Sequence, residues 1–307
     1  MKVLLIGGTG HVGSRLAAHL GENSIQCAIA TRRPQSVQSW LPGSDIVEIS
    51  DIQQTNWRMI FEEFTHVVHL VSPQERDCSQ HPEEARRVVE QGSAKIGEAV
   101  RQTGSHLIYL STTQVYGPQP TGLITEESPT LPANTYADVH LRGEEILRDL
   151  CLSSLTIARL ANSVGLPANP GLSTWHLLVH DLTREAAQHQ TMTLHSSGVQ
   201  HRSFVAMSEV VSALTIILNG GFKGSTINIA NPTSMSVRSM AKFIREQYLL
   251  ASGKEAQIRL PTTHDGQTEN PFEISCKTIV DGGLMLGHTV SLKNEIASII
   301  GQVGVSK

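Results

Sequence analysis

Short apolar runs alternate with stretches of helical periodicity along the first half of the chain. The apolar runs are partly β-branched and bounded by turn residues, so each predicts a buried strand. They are "KVLLI" (2–6), "CAIAT" (27–31), "HVVHLV" (66–71), "HLIYLS" (106–111) and "LTIAR" (155–159). Amphipathic stretches at 13–20, 56–64 and 83–100 predict helices between them. This alternation predicts an α/β fold in which helices cover both faces of a parallel sheet.

The pattern changes at "GLPANPGLS" (165–173), which is rich in glycine, proline and asparagine. Such a segment is the best candidate for a domain boundary in this chain. Beyond it the pattern predicts a helix near 174–189, a strand–turn–strand region at 191–207, a helix near 208–218, a strand at 226–231 and a helix at 236–251. The second part of the chain therefore departs from the regular alternation of the first.

Composition excludes several classes of protein. The 307 residues carry a net charge of −4 and no basic tract, which argues against nucleic-acid or membrane-surface partners. No apolar run approaches the ~18 residues of a membrane span, and the apolar start is too short for a signal peptide. The cysteines are widely spaced, which predicts reduced thiols in a cytoplasmic protein; they are Cys27, Cys78, Cys151 and Cys276.

A glycine-rich turn joins the first predicted strand to the first predicted helix. Gly7, Gly10 and Gly13 give GxxGxxG, and Gly8 with the last two gives GxGxxG. Glycines at these positions permit a tight turn and leave a helix N-terminus free to bind a pyrophosphate. A glycine-rich turn without a ligand is the weaker alternative, because strand and helix flank the motif as a dinucleotide site requires. We expect cofactor contacts from Gly7, Gly10, His11, Val12 and Gly13.

The end of the second strand distinguishes between the two nicotinamide cofactors. An acidic residue there would bind the ribose 2′-hydroxyl of NAD, whereas this chain has Thr31, Arg32 and Arg33. Guanidinium groups bind phosphate through paired, charge-assisted hydrogen bonds, which suits the 2′-phosphate of NADP. The sequence therefore favours NADP(H) and leaves NAD as the alternative.

Several motifs then follow in order along the chain: "LSTTQVYGPQP" (110–120), "YADVHLRGEE" (136–145), "ARLANSVGLP" (158–167), "GVQHRSFVAMSEV" (198–210) and "STINIANPTSMSV" (225–237). Together with the glycine turn they resemble the extended short-chain dehydrogenase/reductase family, in its branch of nucleotide-sugar epimerases, dehydratases and ketoreductases. The resemblance implies a Rossmann-type doubly wound parallel sheet with a smaller C-terminal α/β substrate domain. It implies a dinucleotide-binding domain at 1–164, with return segments near 201–230, and a substrate domain at 165–200 and 231–307.

The resemblance also implies roles for individual residues. Thr112 and Tyr136 match the catalytic Ser/Thr and Tyr, whereas Tyr116 matches a structural position. Asn162 and Arg202 match residues that hold the nucleotide sugar. The remaining expected contacts are Thr113 with substrate, and Asp51, Leu70, Val71, Ser72, Tyr136 and His140 with the cofactor.

His140 occupies the position of the lysine in the family's Tyr-x-x-x-Lys motif. A free tyrosine has a pKa of about 10, and an adjacent cation typically lowers it by about 1–3. Histidine has a pKa of about 6.5 and is mostly neutral at pH 7, so much of this effect is lost. The loss slows reactions that begin with oxidation, because Tyr136 must then act as a base and its phenolate is scarce at neutral pH. Reduction is affected less, because Tyr136 then donates a proton. His140 as an imidazolium is a candidate proton relay, and we expect it to act with Thr112 and Tyr136.

These features favour an NADPH-dependent ketoreductase acting on a nucleotide-linked keto-sugar. The alternatives are an NAD(P)-dependent nucleotide-sugar epimerase and, in another class, a dinucleotide-binding sensor or scaffold without turnover. Dehydration is disfavoured, because Thr113 and Gln114 stand where dehydratases of the family carry Asp and Glu. Ser203 replaces the family's Asp after Arg202.

The histidines suggest a metal site, but the sequence favours none. His176 and His180 have i, i+4 spacing, with His195 and His201 further along, yet no carboxylate or thiol completes a recognisable ligand set. We expect these histidines to face solvent or line the substrate cleft. The resemblance makes a homodimer through helices near 85–100 and 137–150 plausible.

Overall fold

The computed structural model describes residues 1–262, 266 and 268–304. The strands are β1 (Lys2–Ile6), β2 (Gln26–Thr31), β3 (Asp45–Glu48), β4 (His66–His69), β5 (His106–Thr112), β6 (Gly122–Ile124), β7 (Leu155–Leu160), β8 (Asn162–Val164), β9 (Thr191–Thr193), β10 (His201–Arg202), β11 (Phe204–Ala206), β12 (Ser225–Ile229), β13 (Met235–Ser236), β14 (Gln257–Arg259) and β15 (Phe272–Ile274). The helices are α1 (His11–Glu22), α2 (Pro34–Gln38), α3 (Trp57–Phe61), α4 (Glu75–Gln80), α5 (Pro82–Thr103), α6 (Thr135–Cys151), α7 (Leu178–His189), α8 (Met207–Asn219), α9 (Val237–Ser252), α10 (Lys277–Asp281) and α11 (Thr289–Val303). Short 3-10 helices span Thr113–Tyr116 and Leu152–Ser154.

A seven-stranded sheet in the order β12–β7–β5–β4–β1–β2–β3 forms the centre of the molecule. Every neighbouring pair in it is parallel. The predicted Rossmann-type fold class is confirmed, and so are the five strands predicted in the first half, although β4 ends at His69. The edge strand β3 was not predicted.

Alternating side chains of β1 pack on opposite faces of the sheet, as the pleat of a strand requires. Val3 and Leu5 belong to a hydrophobic cluster that includes residues of α1 and α8. Leu4 and Ile6 belong to another, which includes residues of α3, α5 and α6. Helices therefore cover both faces, and this explains why β1 is apolar throughout.

A further hydrophobic cluster lies in the second part of the chain. It joins α7, α9 and α11 and includes Val179, Met240 and Ile296, all of which are buried. Within the described ranges, no helix is long and apolar enough to cross a membrane.

The chain order reverses at β1, which lies between β2 and β4. In a doubly wound sheet this reversal opens a crevice beyond the carboxyl ends of the strands, and ligands bind there. Ile6 pairs with His69 in the register, so the turns after β1 and β4 leave the sheet side by side. The predicted glycine turn and the predicted segment 70–72 thus meet at one place.

Candidate active site

The turn after β1 has a geometry that glycine alone satisfies. Gly7 has a φ of +90°, a conformation that side chains disfavour. A Cβ at Gly13 would collide with the Gly7 carbonyl oxygen. Gly10 is the N-cap of α1 and provides no side-chain cap, so the first-turn amides of α1 remain available to an anion. The predicted pyrophosphate site therefore fits the turn, while Val12 is buried beneath it.

The end of β2 exposes the two arginines predicted to select the cofactor. The buried Thr31 accepts a hydrogen bond from the Arg33 backbone N–H at 3.1 Å, which turns the chain after the strand. The side chains of Arg32 and Arg33 are exposed. Asp51 lies beyond β3, where its carboxylate accepts the Gln53 backbone N–H at 2.6 Å. Both arginines are thus accessible to a ligand.

The segment after β4 contacts the glycine turn and the catalytic helix. A Cβ on Gly7 would lie 3.0 Å from Val71 Cγ2 and 3.1 Å from the carbonyl carbon of Leu70. Ser72 Oγ lies 2.9 Å from His140 Nε2 on α6. The structure therefore brings together two segments that the sequence assigned separately to the cofactor.

Thr112 and Tyr136 meet beyond the carboxyl end of the sheet. Thr112 is the last residue of β5 and accepts the Gln114 N–H at 3.2 Å. Asn134 caps α6 by accepting the Ala137 N–H at 2.8 Å, which places Tyr136 in the first turn. The Thr112 hydroxyl lies close enough to the Tyr136 phenol to lower its pKa. The predicted catalytic hydroxyls are therefore adjacent.

The environment of Tyr136 keeps its phenol protonated. Burial is the main cause that raises its pKa to about 12, and the nearby Glu75 and Cys78 add to the effect. The nearby Thr112 hydroxyl lowers the pKa of Tyr136 but does not outweigh burial. At neutral pH Tyr136 is thus suited to donate a proton.

His140 is a buried, neutral imidazole. Burial lowers its pKa to about 4, and the carboxylate of Glu144 only partly opposes this. Its ring meets that of Tyr136 edge to face, with centroids 4.6 Å apart. Its Nδ1 is buried with no hydrogen-bond partner among the described residues. The imidazolium that the sequence suggested as a relay is therefore disfavoured at neutral pH, and His140 gives Tyr136 no cationic neighbour.

Two buried rings, Tyr109 and His69, follow His140 in a row of ring contacts that the sequence did not predict. The Tyr109 ring lies 6.2 Å from that of His140, and His69 lies 5.3 Å from Tyr109. Burial lowers the pKa of His69 to about 3 and raises the pKa of Tyr109. The only sequence signal was a polar ring inside each of two apolar strands, which pair at these residues.

A cleft of about 260 Å³ is lined by the predicted substrate residues Thr113, Asn162 and Arg202. The Asn162 side chain donates to the Ser203 carbonyl at 3.0 Å, and the Arg202 side chain is exposed. Glu75, at the start of α4, also lines this cleft. Nothing in the sequence pattern marks Glu75, because α4 is a helix of six residues, too short to show a periodic pattern.

Two residues matched by the family motifs support the fold around the site. Arg159 forms two hydrogen bonds, of 3.0 and 2.7 Å, with the fully buried Glu144 of α6. The Tyr116 hydroxyl donates to Asn228 at 2.7 Å, and its ring lies 4.9 Å from the Arg159 guanidinium. These contacts agree with the structural position expected for Tyr116.

The four histidines considered as metal ligands lie in different surroundings. In the part of the chain that the structure describes, no group of three or more His, Cys, Asp or Glu side chains could hold a metal ion. His176 and His195 are exposed and His201 lines the cleft, as expected. The expectation for His180 was wrong, because it is fully buried and hydrogen-bonded to the Gly165 carbonyl at 2.9 Å.

The geometry agrees with the comparisons to known proteins. The sequence pattern of the NAD dependent epimerase/dehydratase family matches residues 3–230. The chain belongs to this family. Its members are enzymes of the NAD-dependent oxidoreductase type, so the expected enzyme class and family are confirmed.

The similar proteins act on nucleotide sugars. UDP-glucuronic acid decarboxylase 1 of Xenopus tropicalis is 24% identical over 289 residues, which cover 88% of this chain and 65% of the relative. The chain thus spans less than two thirds of that relative's length. Two solved structures share the fold. UDP-glucuronic acid 4-epimerase of Bacillus cereus, in complex with NAD, has a TM-score of 0.81, 20% identity and coverage of 99% of this chain and 96% of that chain. UDP-glucose 4-epimerase of Thermotoga maritima, with UDP-glucose, has a TM-score of 0.78, 18% identity and coverage of 98% of both chains.

Proposed function

We propose that the protein is a nucleotide-sugar epimerase that uses a nicotinamide dinucleotide. The observation that carries this proposal is the proximity of Thr112 and Tyr136, together with the neighbouring cleft that Thr113, Asn162 and Arg202 line. The similar proteins support this alternative better than the ketoreductase that the sequence favoured.

The chain's own residues would bind the substrate and move the proton. A bound nicotinamide would exchange hydride with a ring carbon of the sugar. Thr112 and Tyr136 would hold the oxygen on that carbon, and Tyr136 would return a proton to it as negative charge develops. Arg202 would pair with the diphosphate, since its guanidinium is exposed in the cleft.

Removal of the first proton is the demanding step for an epimerase here. With a pKa of about 12, Tyr136 is scarcely ionised at neutral pH, and the neutral His140 does not lower that value. This observation favours reduction of a keto-sugar as the second candidate, because reduction needs Tyr136 only as an acid. The two candidates differ in the cofactor balance: an epimerase leaves the cofactor unchanged, whereas a reductase consumes NADPH.

We also propose that Arg32 and Arg33 favour NADP over NAD. Both guanidiniums are exposed just beyond β2, where the sequence analysis places the adenosine 2′-phosphate. Changing both residues to alanine should weaken NADPH binding by at least about tenfold, because each charge-assisted hydrogen bond contributes about 1.5–3 kcal/mol, and should leave NADH binding nearly unchanged. Fluorescence titration with both cofactors measures this, and equal losses for the two would contradict the assignment.

The cluster that joins α7, α9 and α11 is proposed as the core of the substrate domain at 165–200 and 231–307, of which 263–265, 267 and 305–307 lie outside the described residues. The homodimer also stays a proposal. Its candidate surface is formed by α5 and α6, which exchange the ion pairs Arg86–Asp138 and Arg142–Glu90 on their outer face.

Turnover by Tyr136→Phe tests the proposed function. The variant keeps the ring and loses the hydroxyl that holds the substrate oxygen. It should bind NAD or NADP as the unchanged protein does and convert nucleotide sugars at least about 10²-fold more slowly, the usual effect of losing a proton donor. Unchanged conversion of a nucleotide sugar would remove Tyr136 from the mechanism. Cofactor binding without turnover by the unchanged protein would favour a sensor or scaffold.

A further inference from the structure

We propose that His11 is a positioning residue that couples cofactor binding to substrate binding through the carbonyl of Gly165. This inference rests on the proposed function and adds a connection between its two sites. His11 is the first residue of α1 and directly follows the N-cap Gly10. Its backbone amide belongs to the helix end that fits the pyrophosphate, while its ring points away to another segment.

Two imidazoles bind one carbonyl oxygen. His11 Nε2 lies 2.6 Å from the Gly165 oxygen, and His180 Nε2 of α7 lies 2.9 Å from the same atom. A carbonyl oxygen only accepts, so both Nε2 atoms carry the proton. The rings meet edge to face, with centroids 5.5 Å apart. Burial lowers the pKa of His11 to about 4 and also lowers the pKa of His180, so both are neutral donors at pH 7.

Gly165 holds this carbonyl in a fixed direction. Its φ is +146°, and a Cβ there would collide with the carboxylate of Glu295. The carboxylate in turn pairs with Arg15 of α1, at 2.8 Å between Oε1 and Nη2. The carbonyl therefore lies in closely packed surroundings, so a shift of His11 would also move Gly165.

Neighbouring contacts attach the same segment to the glycine turn. Arg15 Nη1 donates to the Leu166 carbonyl at 3.0 Å, and Asn169 Nδ2 donates to the Thr9 carbonyl at 3.1 Å. Among the residues in these contacts, His11 alone contributes both an amide at the predicted phosphate site and a side chain bonded to the segment.

The segment leads directly into the substrate cleft. Gly165 follows β8, whose first residue is Asn162. β8 pairs in parallel with β11, and the Asn162 backbone N–H donates to the Ser203 carbonyl at 3.2 Å. Ser203 follows Arg202, the proposed diphosphate ligand. A shift of the glycine turn on binding a dinucleotide would therefore move Gly165 through His11, and with it the two substrate residues.

The experiment measures binding without turnover. Uridine diphosphate is titrated by calorimetry into the protein with and without saturating NAD, and the ratio of the two dissociation constants gives the coupling. We expect NAD to tighten binding of uridine diphosphate by about tenfold in the unchanged protein, within the range typical of coupled sites. In His11→Phe, which keeps a ring but has no donor, NAD should tighten it by less than about twofold, since the hydrogen bond from His11 to the Gly165 carbonyl is lost.

Two variants separate coupling from general structural damage. His11→Gln places an amide donor at the same position and should restore most of the ratio. His176→Phe makes the same chemical change at a nearby exposed histidine and should keep the full ratio. A full ratio in His11→Phe, or an equal loss in His11→Gln, would overturn the coupling alone. Failure of the unchanged protein to bind either NAD or NADP would overturn the proposed function and, with it, this inference.

Discussion

Replacing His140 with lysine tests how the protein controls the ionisation of Tyr136. The neutral His140 leaves the pKa of Tyr136 at about 12. At pH 8 only about one phenol in ten thousand is then ionised. A lysine at position 140 would place an ammonium group on the same helix face, four residues from Tyr136. Since an adjacent cation typically lowers a tyrosine pKa by about 1–3, the ionised fraction should rise by about tenfold to a thousandfold.

Burial at position 140 disfavours a cation, but two neighbouring groups would stabilise one. Ser72 Oγ, 2.9 Å from the imidazole Nε2, is able to accept a hydrogen bond from an ammonium group. The Glu144 carboxylate raises the pKa of His140 against the effect of burial, so it would also stabilise a charge there. The substitution should therefore be tolerated by the fold.

The assay is the reduction of bound NAD by a nucleotide sugar in a single turnover, followed as a function of pH. The unchanged protein should show a rate that still rises at about pH 10, because the midpoint lies near 12. His140→Lys should show a midpoint lower by about 1–3. His140→Gln is the matched control, since it keeps a donor for Ser72 without charge. Identical midpoints for the lysine and glutamine variants would refute the electrostatic argument.

Three further substitutions or conditions test other parts of the account. Glu75→Gln should lower the Tyr136 pKa, because Glu75 is among the groups that raise it; a spectroscopic phenol titration that matches the unchanged protein would contradict this. Arg159→Ala should destabilise the fold by about 1.5–3 kcal/mol in denaturant unfolding, because it removes two charge-assisted hydrogen bonds from the buried Glu144 and leaves Arg148 as its ion-pair partner; a loss below about 1 kcal/mol would show that the pair is not buried in solution. Burial lowers the pKa of His140 from 6.5 to about 4, so the unfolded chain binds more protons than the folded one between these values. Stability should therefore fall as the pH drops through this window, by up to about 3 kcal/mol for this residue, and His140→Gln should reduce the slope measured by denaturant unfolding.

The apolar strands and the glycine turn could be predicted because their signals are local. "KVLLI" is buried on both faces of the sheet, so its apolar pattern reports its position directly. The strand Asp45–Glu48 was missed because it is the edge strand β3, which has exposed Asp45 and Glu48 at its ends and no apolar run. An edge strand has a neighbour on one side, so it needs fewer apolar residues than a strand inside the sheet.

The missed site features depend on contacts between distant residues. Gly165 and His11 are 154 positions apart, and nothing in the local sequence of either predicts that the ring binds the carbonyl. The substitution at His140 was visible in the sequence, but the further fall of its pKa to about 4 follows from burial beside Tyr136 and Ser72, which only the fold defines. Tyr109 and His69 likewise became recognisable once the β4–β5 register placed them side by side.

The most direct test of the account uses a panel of nucleotide sugars that carry deuterium on every ring carbon, with NAD or NADP and the purified protein. An epimerase that works through Thr112 and Tyr136 should yield a stereoisomer that keeps its label, with no net change in the cofactor, and Tyr136→Phe should form it at least about 10²-fold more slowly. No stereoisomer from this panel, with net oxidation of NADPH when keto-sugar nucleotides are supplied instead, would contradict the epimerase and establish the reductase. Stereoisomer formation by Tyr136→Phe at the rate of the unchanged protein would contradict the proposed site itself.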